Sequence, residues 1–190
     1  MTSRPLYGGA IAAAIPTAFL DASDLRQVPD TQEVFLAPDS DLSLIVEVLE
    51  LVREDGSADD LERAARFHFS SLAHDNTALS STVSSVSVPA APHSQGSHQP
   101  TVLGPTVLTG LQTVSKFNRP ASEADTVLIQ LALWRIPERN ADVTLCVNWP
   151  VRMGETGEER ADDEARRVFE DAIKTFDIND FSLFAGGAEV

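Results

Sequence analysis

DASDLRQVPDTQEVFLAPDSDLSLIVEVLELV, residues 21–52, combines a turn, a short strand and an acidic amphipathic segment in one stretch of chain. Its VPDT sequence at 28–31 is typical of a turn, because Pro29 fixes φ at the second position and Asp30 can bond to its own backbone. The sequence EVFL at 33–36 has the β-branched and aromatic character of a strand, and Pro38 ends it. This stretch therefore predicts a strand that follows directly on a turn.

The second half of the stretch predicts a helix that begins at Leu42. Asp39, Ser40 or Asp41 can accept hydrogen bonds from the first N–H groups of such a helix. Apolar residues recur at helical spacing, at Leu42, Ile45, Val48, Leu49 and Val52. At about 100° per residue, one polar stripe collects Ser43, Glu47, Glu50 and Glu54. Two interpretations of this stripe stand, a solvated helix face and a docking site for a basic partner.

The charge and the cysteine content of the chain indicate which kinds of partner and which cellular compartment it suits. The 190 residues carry a net charge of −15 with a pI near 4.5, which suits a single soluble domain over residues 1–190. Such acidity repels nucleic-acid phosphates and anionic lipids, and attracts basic protein surfaces. Cys146 is the single cysteine, which excludes an internal disulfide and indicates a reducing compartment. The apolar run near the start is too short and too interrupted for a membrane span or a signal peptide.

The segments on either side of the opening stretch predict a hairpin arm and a second helix. Residues 7–15 predict a strand or hairpin arm, bent at Gly8 and Gly9, and these glycines match no nucleotide-binding motif. The S-x-x-D sequence at 57–60 matches a capping box. The helix that follows has one face formed by Leu61, Ala65, His68 and Leu72. We interpret His68 as a hydrogen-bonded core residue rather than a catalytic one.

The rest of the chain predicts a run of strands closed by a helix. A half-buried strand ends at Pro89, and residues 89–101 form an exposed loop whose His93 and His98 are too few for a zinc site. Strands are predicted at 107–117, 126–136 and 142–149, with turns at 118–120 and 137–140, and a meander is the simplest topology. Residues 158–176 predict an amphipathic helix, and residues 177–184 an extended tail. Strands in a run with helices at both ends indicate an α+β fold.

No catalytic constellation can be assembled from these residues. The chain has no G-x-S-x-G nucleophile elbow, and its paired carboxylates follow from its acidity. Cys146 lies in a strand pattern, where a buried thiol is expected rather than a nucleophile. We therefore predict a binding domain that needs no metal or cofactor, not an enzyme.

Several motifs in order along the chain carry a family resemblance. They are LYGGA at 6–10, DASDLR at 21–26, VPDTQEV at 28–34 and SLIVEVLE at 43–50, followed by RFHF at 66–69, ALWRI at 132–136, residues 142–150 and SLF at 182–184. In these motifs the chain resembles the Mog family of Ran-binding nuclear import factors, also called Ran guanine nucleotide release factors. The resemblance covers most of the chain and departs from the family at 73–105 and 152–159.

The resemblance implies a fold and a function. The implied fold is an α/β/α sandwich, with a mostly antiparallel sheet of about six strands and helices packed on both faces, similar to the photosystem extrinsic proteins. The implied function is to bind the small GTPase Ran and to promote release of its guanine nucleotide in support of nuclear import. We expect a monomer in nucleus and cytoplasm, with Ran as partner and a further Ran-binding protein in a ternary complex as one option.

Site residues follow from the resemblance position by position. Glu47 and Glu50 match acidic positions that dock Ran and are the first candidates. Asp30, Gln32 and Glu33 belong to the adjoining motif and are the second candidates. Arg26 is a further candidate for the Ran-binding surface, with an internal ion pair as its alternative.

Two functions of other classes remain as alternatives. One is a small-molecule-binding or hydrolytic activity in a cleft of the sheet, which a large pocket with convergent polar groups would favour. The other is a scaffold role like that of the photosystem extrinsic proteins. The N-terminal sequence argues against this role, because it does not resemble a transit peptide. Shared fold alone would transfer neither function.

Overall fold

Ten strands and two helices are found in the residues that the computed structural model describes, 1–89, 99–115, 124–151 and 158–187. The strands are β1 (Thr2–Leu6), β2 (Ile11–Ile15), β3 (Leu20–Asp21), β4 (Gln32–Leu36), β5 (Ser43–Glu50), β6 (Ser80–Ser87), β7 (Leu103–Val114), β8 (Asp125–Ile136), β9 (Ala141–Val151) and β10 (Asp177–Ile178). The helices are α1 (Leu61–Asp75) and α2 (Glu158–Thr175). The α+β class is confirmed. The predicted turn at 118–120 and most of the predicted loop at 89–101 lie outside the described residues.

The strands form a large sheet and a small one. The large sheet has the order β3-β4-β5-β9-β8-β7-β6, and each of its strands is antiparallel to its neighbours. Strands β6 to β9 are successive in both chain and sheet, which confirms the meander. The small sheet has the order β1-β2-β10. The expected single sheet of about six strands is therefore corrected to seven strands plus a separate sheet of three.

The two helices cover opposite faces of the large sheet. Successive side chains of a strand point to opposite faces. Leu131 and Leu133 of β8 therefore pack with α1, whereas Ala132 and Trp134 of the same strand pack with α2 and the small sheet. Helix α1 lies so close to β7 that a Cβ added to Gly110 would be 2.5 Å from a ring carbon of Phe69. The glycine is therefore required for this helix to seat on the sheet.

The predicted helix from Leu42 is wrong, because residues 43–50 form strand β5. This strand lies between β4 and β9 in the large sheet. Leu44 and Val46 are fully buried on the α2 side, and Ile45 is half-buried on the other side. Because β5 carries apolar residues on both of its faces, some of them also recur at the spacing of an amphipathic helix. The predicted acidic stripe on a helix therefore does not exist.

Two smaller predictions also need correction. The capping box at 57–60 implies Ser57 as the N-cap, but α1 begins only at Leu61 and its N-cap is Asp60, which accepts a hydrogen bond from the Arg63 N–H at 2.9 Å. Ser57 instead donates to the Glu54 carbonyl. The predicted extended tail has only the two residues of β10, after which Phe181–Gly187 is a 3-10 helix. Phe181 and Phe184 anchor this segment, since both are buried in the core.

A buried charged cluster ties α1 to the large sheet. Asp142 of β9 accepts hydrogen bonds from Arg135 Nε and His68 Nε2, both at 2.8 Å, and from the Val52 N–H at 3.0 Å. Arg135 also donates to the carbonyls of Val52 and Ser57. The side chains of Arg135, His68 and Asp142 are 1%, 6% and 0% exposed. The interpretation of His68 as a hydrogen-bonded core residue is confirmed.

We expect Asp142→Ala to lower the free energy of unfolding by about 3–5 kcal/mol, because it leaves the Arg135 charge buried and unpaired. Urea unfolding followed by tryptophan fluorescence measures this change. The control is Asp24→Ala at an exposed position, with an expected change within about 0.5 kcal/mol. A loss below about 1 kcal/mol in Asp142→Ala would contradict the role given to the cluster.

Candidate functional site

Gln32 and Glu47 form the centre of the candidate site. They are directly opposite each other on β4 and β5 and therefore share the sheet face on which α1 also packs. Gln32 Nε2 donates a hydrogen bond to Glu47 Oε1 at 2.8 Å. Both side chains are half-buried, and this bond fixes the orientation of the carboxylate at the surface.

Glu33 lies on the other face of the same strand and has a structural contact. Its carboxylate accepts a hydrogen bond from the Tyr7 N–H at 2.6 Å. The phenol of Tyr7 donates towards the carbonyls of Thr31 and Val46, at 2.7 and 2.9 Å. Tyr7 has a φ of 49°, a conformation that bulky residues rarely adopt. These bonds hold the strained turn against β4 and β5, a contact that no sequence motif indicated.

Glu50 ends β5 and is exposed. Its carboxylate accepts a hydrogen bond at 3.0 Å from the side chain of Asn140, which in turn accepts one from the Arg53 guanidinium. Asn140 has a left-handed φ of 52° in the turn between β8 and β9. The structure thus supports Glu50 from a neighbouring turn, and it places a cation, Arg53, within the same group of residues.

The remaining candidates differ in their surroundings. Asp30 is exposed in the turn before β4, and within the described residues its side chain has neither a hydrogen bond nor an ion pair. Arg26 is likewise exposed, and its guanidinium pairs with no carboxylate in the described part of the chain, which gives no support to the internal ion pair. Asp21 caps the 3-10 helix that follows it by accepting from the Ser23 N–H at 2.8 Å.

A cavity of about 420 Å³ lies beside Glu47, between the end of β5 and α1. Among the described residues, its lining includes four carboxylates and a single guanidinium. They are Glu47, Glu50, Glu54, Asp75 and Arg53. Hydrogen bonds from the backbone N–H groups of Glu54 itself and of Arg53 hold the pKa of the Glu54 carboxyl below its usual range. The mouth of the cavity is therefore negatively charged at neutral pH.

The surroundings of His68 and Cys146 indicate structural roles rather than catalytic ones. His68 borders the cavity, but its Nε2 is engaged with Asp142, and within the described residues no serine is hydrogen-bonded to its ring. Cys146 is free and buried, and burial together with the charge of Glu47 raises the pKa of its thiol to about 12. The thiol is therefore protonated at neutral pH and a poor nucleophile.

The described ranges contain neither a metal-binding cluster nor a membrane-spanning helix. No cluster of three or more His, Cys, Asp or Glu side chains there has a geometry suited to a metal ion. Neither described helix has the length and apolar character needed to cross a bilayer.

Comparison with known proteins gives one family and several relatives. The profile of the family described as "Ran-interacting Mog1 protein" matches residues 4–150. The Ran guanine nucleotide release factor of Danio rerio is 40% identical over 150 residues, with 78% of each chain covered. That of Homo sapiens is 38% identical over 148 residues, with 77% of this chain and 74% of the relative covered. Nuclear import protein MOG1 of Saccharomyces cerevisiae is 32% identical over 199 residues, with 95% and 83% covered.

Two solved structures share the fold. The Saccharomyces cerevisiae Ran-binding protein Mog1p superposes with a TM-score of 0.73 at 27% identity, over 96% of this chain and 97% of that one. A point mutant of Mog1 gives a TM-score of 0.72 at 28% identity, over 96% and 98%.

We expect Tyr7, the single tyrosine of the chain, to remain un-ionised in the folded protein at a pH where free tyrosine ionises. Burial, followed by the charges of Glu33 and Glu47, raises the pKa of its phenol above the usual range. Because the folded-state pKa is raised, the stability that Tyr7 contributes is present below its unfolded pKa of about 10 and is lost as the pH rises further.

Absorbance at 295 nm from pH 8 to 12 measures this ionisation. The urea-unfolded protein is the control and should titrate near pH 10. A native titration that coincides with the unfolded one would contradict the buried phenol.

Proposed function

Because the chain belongs to the Mog1 family of Ran-interacting proteins, we propose that it binds the small GTPase Ran and promotes release of the guanine nucleotide, in support of nuclear protein import. The observation that supports this proposal most directly is the acidic surface at the end of β5, with Glu47 and Glu50 beside a negatively charged cavity. A surface of this charge favours a basic protein surface and speeds its association.

Nucleotide release requires no covalent step. If the domain binds nucleotide-free Ran more tightly than nucleotide-loaded Ran, linkage weakens the affinity for nucleotide by the same factor. The carboxylates of this surface would pair with basic Ran residues that otherwise hold phosphates or switch segments. The protein acts in this proposal as a regulator of a GTPase, and the relatives carry the name of release factors.

The candidate residues take different roles in this proposal. Glu47 and Glu50 contact Ran directly, and Gln32 orients the Glu47 carboxylate through their hydrogen bond. Asp30 is exposed on the adjoining turn and extends the contact. Glu33 acts indirectly, because its carboxylate holds the Tyr7 backbone. Arg26 is a further exposed contact residue.

Further features complete the proposal. Residues 1–190 act as one Ran-binding domain and as a monomer, in nucleus and cytoplasm, and a further Ran-binding protein can join in a ternary complex. The mass of 20.5 kDa is compatible with passage through nuclear pores without a basic import signal. In this proposal the fold is similar to that of the photosystem extrinsic proteins. A similar fold does not by itself imply a similar function.

We expect Glu50→Lys and Glu47→Lys each to slow the release of fluorescent guanine nucleotide from Ran by about tenfold or more, because each places a cation where a basic surface docks. The rate is measured by stopped-flow fluorescence at two salt concentrations. The wild-type rate should fall as salt rises, since exposed charges are screened over about 8–10 Å.

The matched control is Glu164→Lys on the exposed side of α2, which changes the net charge equally and should leave the rate within about twofold of wild type. Thermal melts establish that each variant is folded. If Glu164→Lys slows release as much as Glu50→Lys does, general charge rather than this surface is responsible.

A further inference from the structure

The cavity beside Glu47 has one wall from β5 and the turn after it, and a second wall from α1. Phe67, Leu72 and Asp75 belong to the α1 wall, and Leu49 and Glu47 to the strand wall. Its volume of about 420 Å³ lies within the range of roughly 300–1,000 Å³ that is usual for ligand pockets. Of the motifs that carry the resemblance, SLIVEVLE at 43–50 supplies the strand wall and was assigned to the site. RFHF at 66–69 supplies Phe67 of the α1 wall, and the resemblance gave it no role in the site.

The two walls combine an apolar interior with a charged mouth. Leu49, Phe67 and Leu72 are only half-buried, so apolar surface lies open in the cavity. Asp75 is exposed at the C-terminal end of α1, across the cavity from Glu47. An apolar side chain alone would leave the carboxylates unpaired, and an anionic group would be repelled by them.

The occupant that fits is a cation at the end of an apolar stem. Lysine and arginine side chains lay their methylene groups along apolar surface while the charged head stays near water and counter-charges. Glu47, Glu54 and Asp75 come from three different elements, so a cationic head between them meets carboxylates from several directions. Among the described residues, Arg53 is the one cation of the lining. Its guanidinium donates a hydrogen bond to the side chain of Asn140.

Resting on the Ran-binding function above, we propose that one lysine or arginine side chain of the GTPase enters this cavity and that α1 forms the second half of the docking site. Phe67 and Leu72 contact the stem of the inserted side chain, and Asp75 pairs with its charge together with Glu47. The docking site is then a two-sided pocket rather than a flat acidic strand.

Blocking the cavity without changing charge tests this directly. Ser71 borders both the cavity and a neighbouring depression between Asp55 and α1, whereas its neighbour Ser70 borders only that depression. Both serines are exposed, so a tryptophan can be accommodated at either position. We expect Ser71→Trp to weaken Ran binding and to slow nucleotide release by about tenfold or more, and Ser70→Trp to stay within about twofold of wild type.

A charge change on α1 supplies an independent test. Asp75→Lys should weaken Ran binding by about fivefold or more, and the loss should shrink at high salt. Glu164→Lys on α2 is the control of equal charge change. Binding to immobilised Ran and nucleotide release are measured on the same preparations, and circular dichroism melts report the fold. If Ser71→Trp fails to fold, Asp75→Lys decides.

The outcomes separate this inference from the function on which it rests. Wild-type activity in Ser71→Trp and in Asp75→Lys, next to a slow Glu50→Lys, overturns the pocket and leaves Ran binding in place. Wild-type protein that neither binds Ran nor speeds release overturns the function itself. Loss of activity in Ser70→Trp as great as in Ser71→Trp would assign the effect to the helix surface in general and overturn the pocket.

Discussion

The carboxylate of Asp142 is fully buried between the large sheet and α1, where it accepts hydrogen bonds from Arg135, His68 and the Val52 N–H. Through His68 it fixes α1, and through Arg135 it fixes the carbonyls of the segment that follows β5. Charges buried in this way are tolerated only with complete pairing, and removal of one partner is costly. Because the two walls of the cavity are α1 and that same segment, the shape of the candidate site depends on this cluster.

Most of the fold followed from the sequence, and the largest error, the helix predicted in place of β5, has a physical cause. Helices α1 and α2 have clear periods, because each has one covered face. The strands of the meander are marked instead by β-branched and apolar runs between turn residues, although β9 is buried on both faces. Strand β5 has apolar residues on both faces, Leu44 and Val46 on the buried face and Ile45 and Leu49 on the half-buried one. Its apolar residues therefore follow no strict period of two, and Leu42, Ile45 and Val48 happen to fit a helical spacing. The β-branched run at Ile45 and Val46 favoured a strand. The Asp-Ser-Asp sequence at 39–41 is typical of a helix cap, but here it forms a hairpin loop across which the Ala37 N–H donates a hydrogen bond to the Leu42 carbonyl.

The candidate site was predicted as a set of residues but not as a geometry. On a helix Glu47 and Glu50 would share a face. On β5 they point to opposite sides of the strand, and both border one cavity only because it lies at the end of the strand. The cavity wall from α1 and the contact of Tyr7 with Glu33 join residues far apart in sequence, and no local pattern encodes such a contact. Asp30 and Glu50 are exposed and Glu47 is half-buried, so a partner can reach all three side chains.

Coupling between docking and nucleotide release is the central claim, and the affinity for two forms of Ran tests it most directly. A ligand that binds both forms equally shifts nothing, however tightly it binds. We expect the dissociation constant for nucleotide-free Ran to be at least about tenfold lower than that for nucleotide-loaded Ran, which corresponds to about 1.4 kcal/mol of coupling. Interferometry with both forms immobilised would measure the ratio. Equal dissociation constants would contradict the account, because the domain would then bind Ran without promoting release.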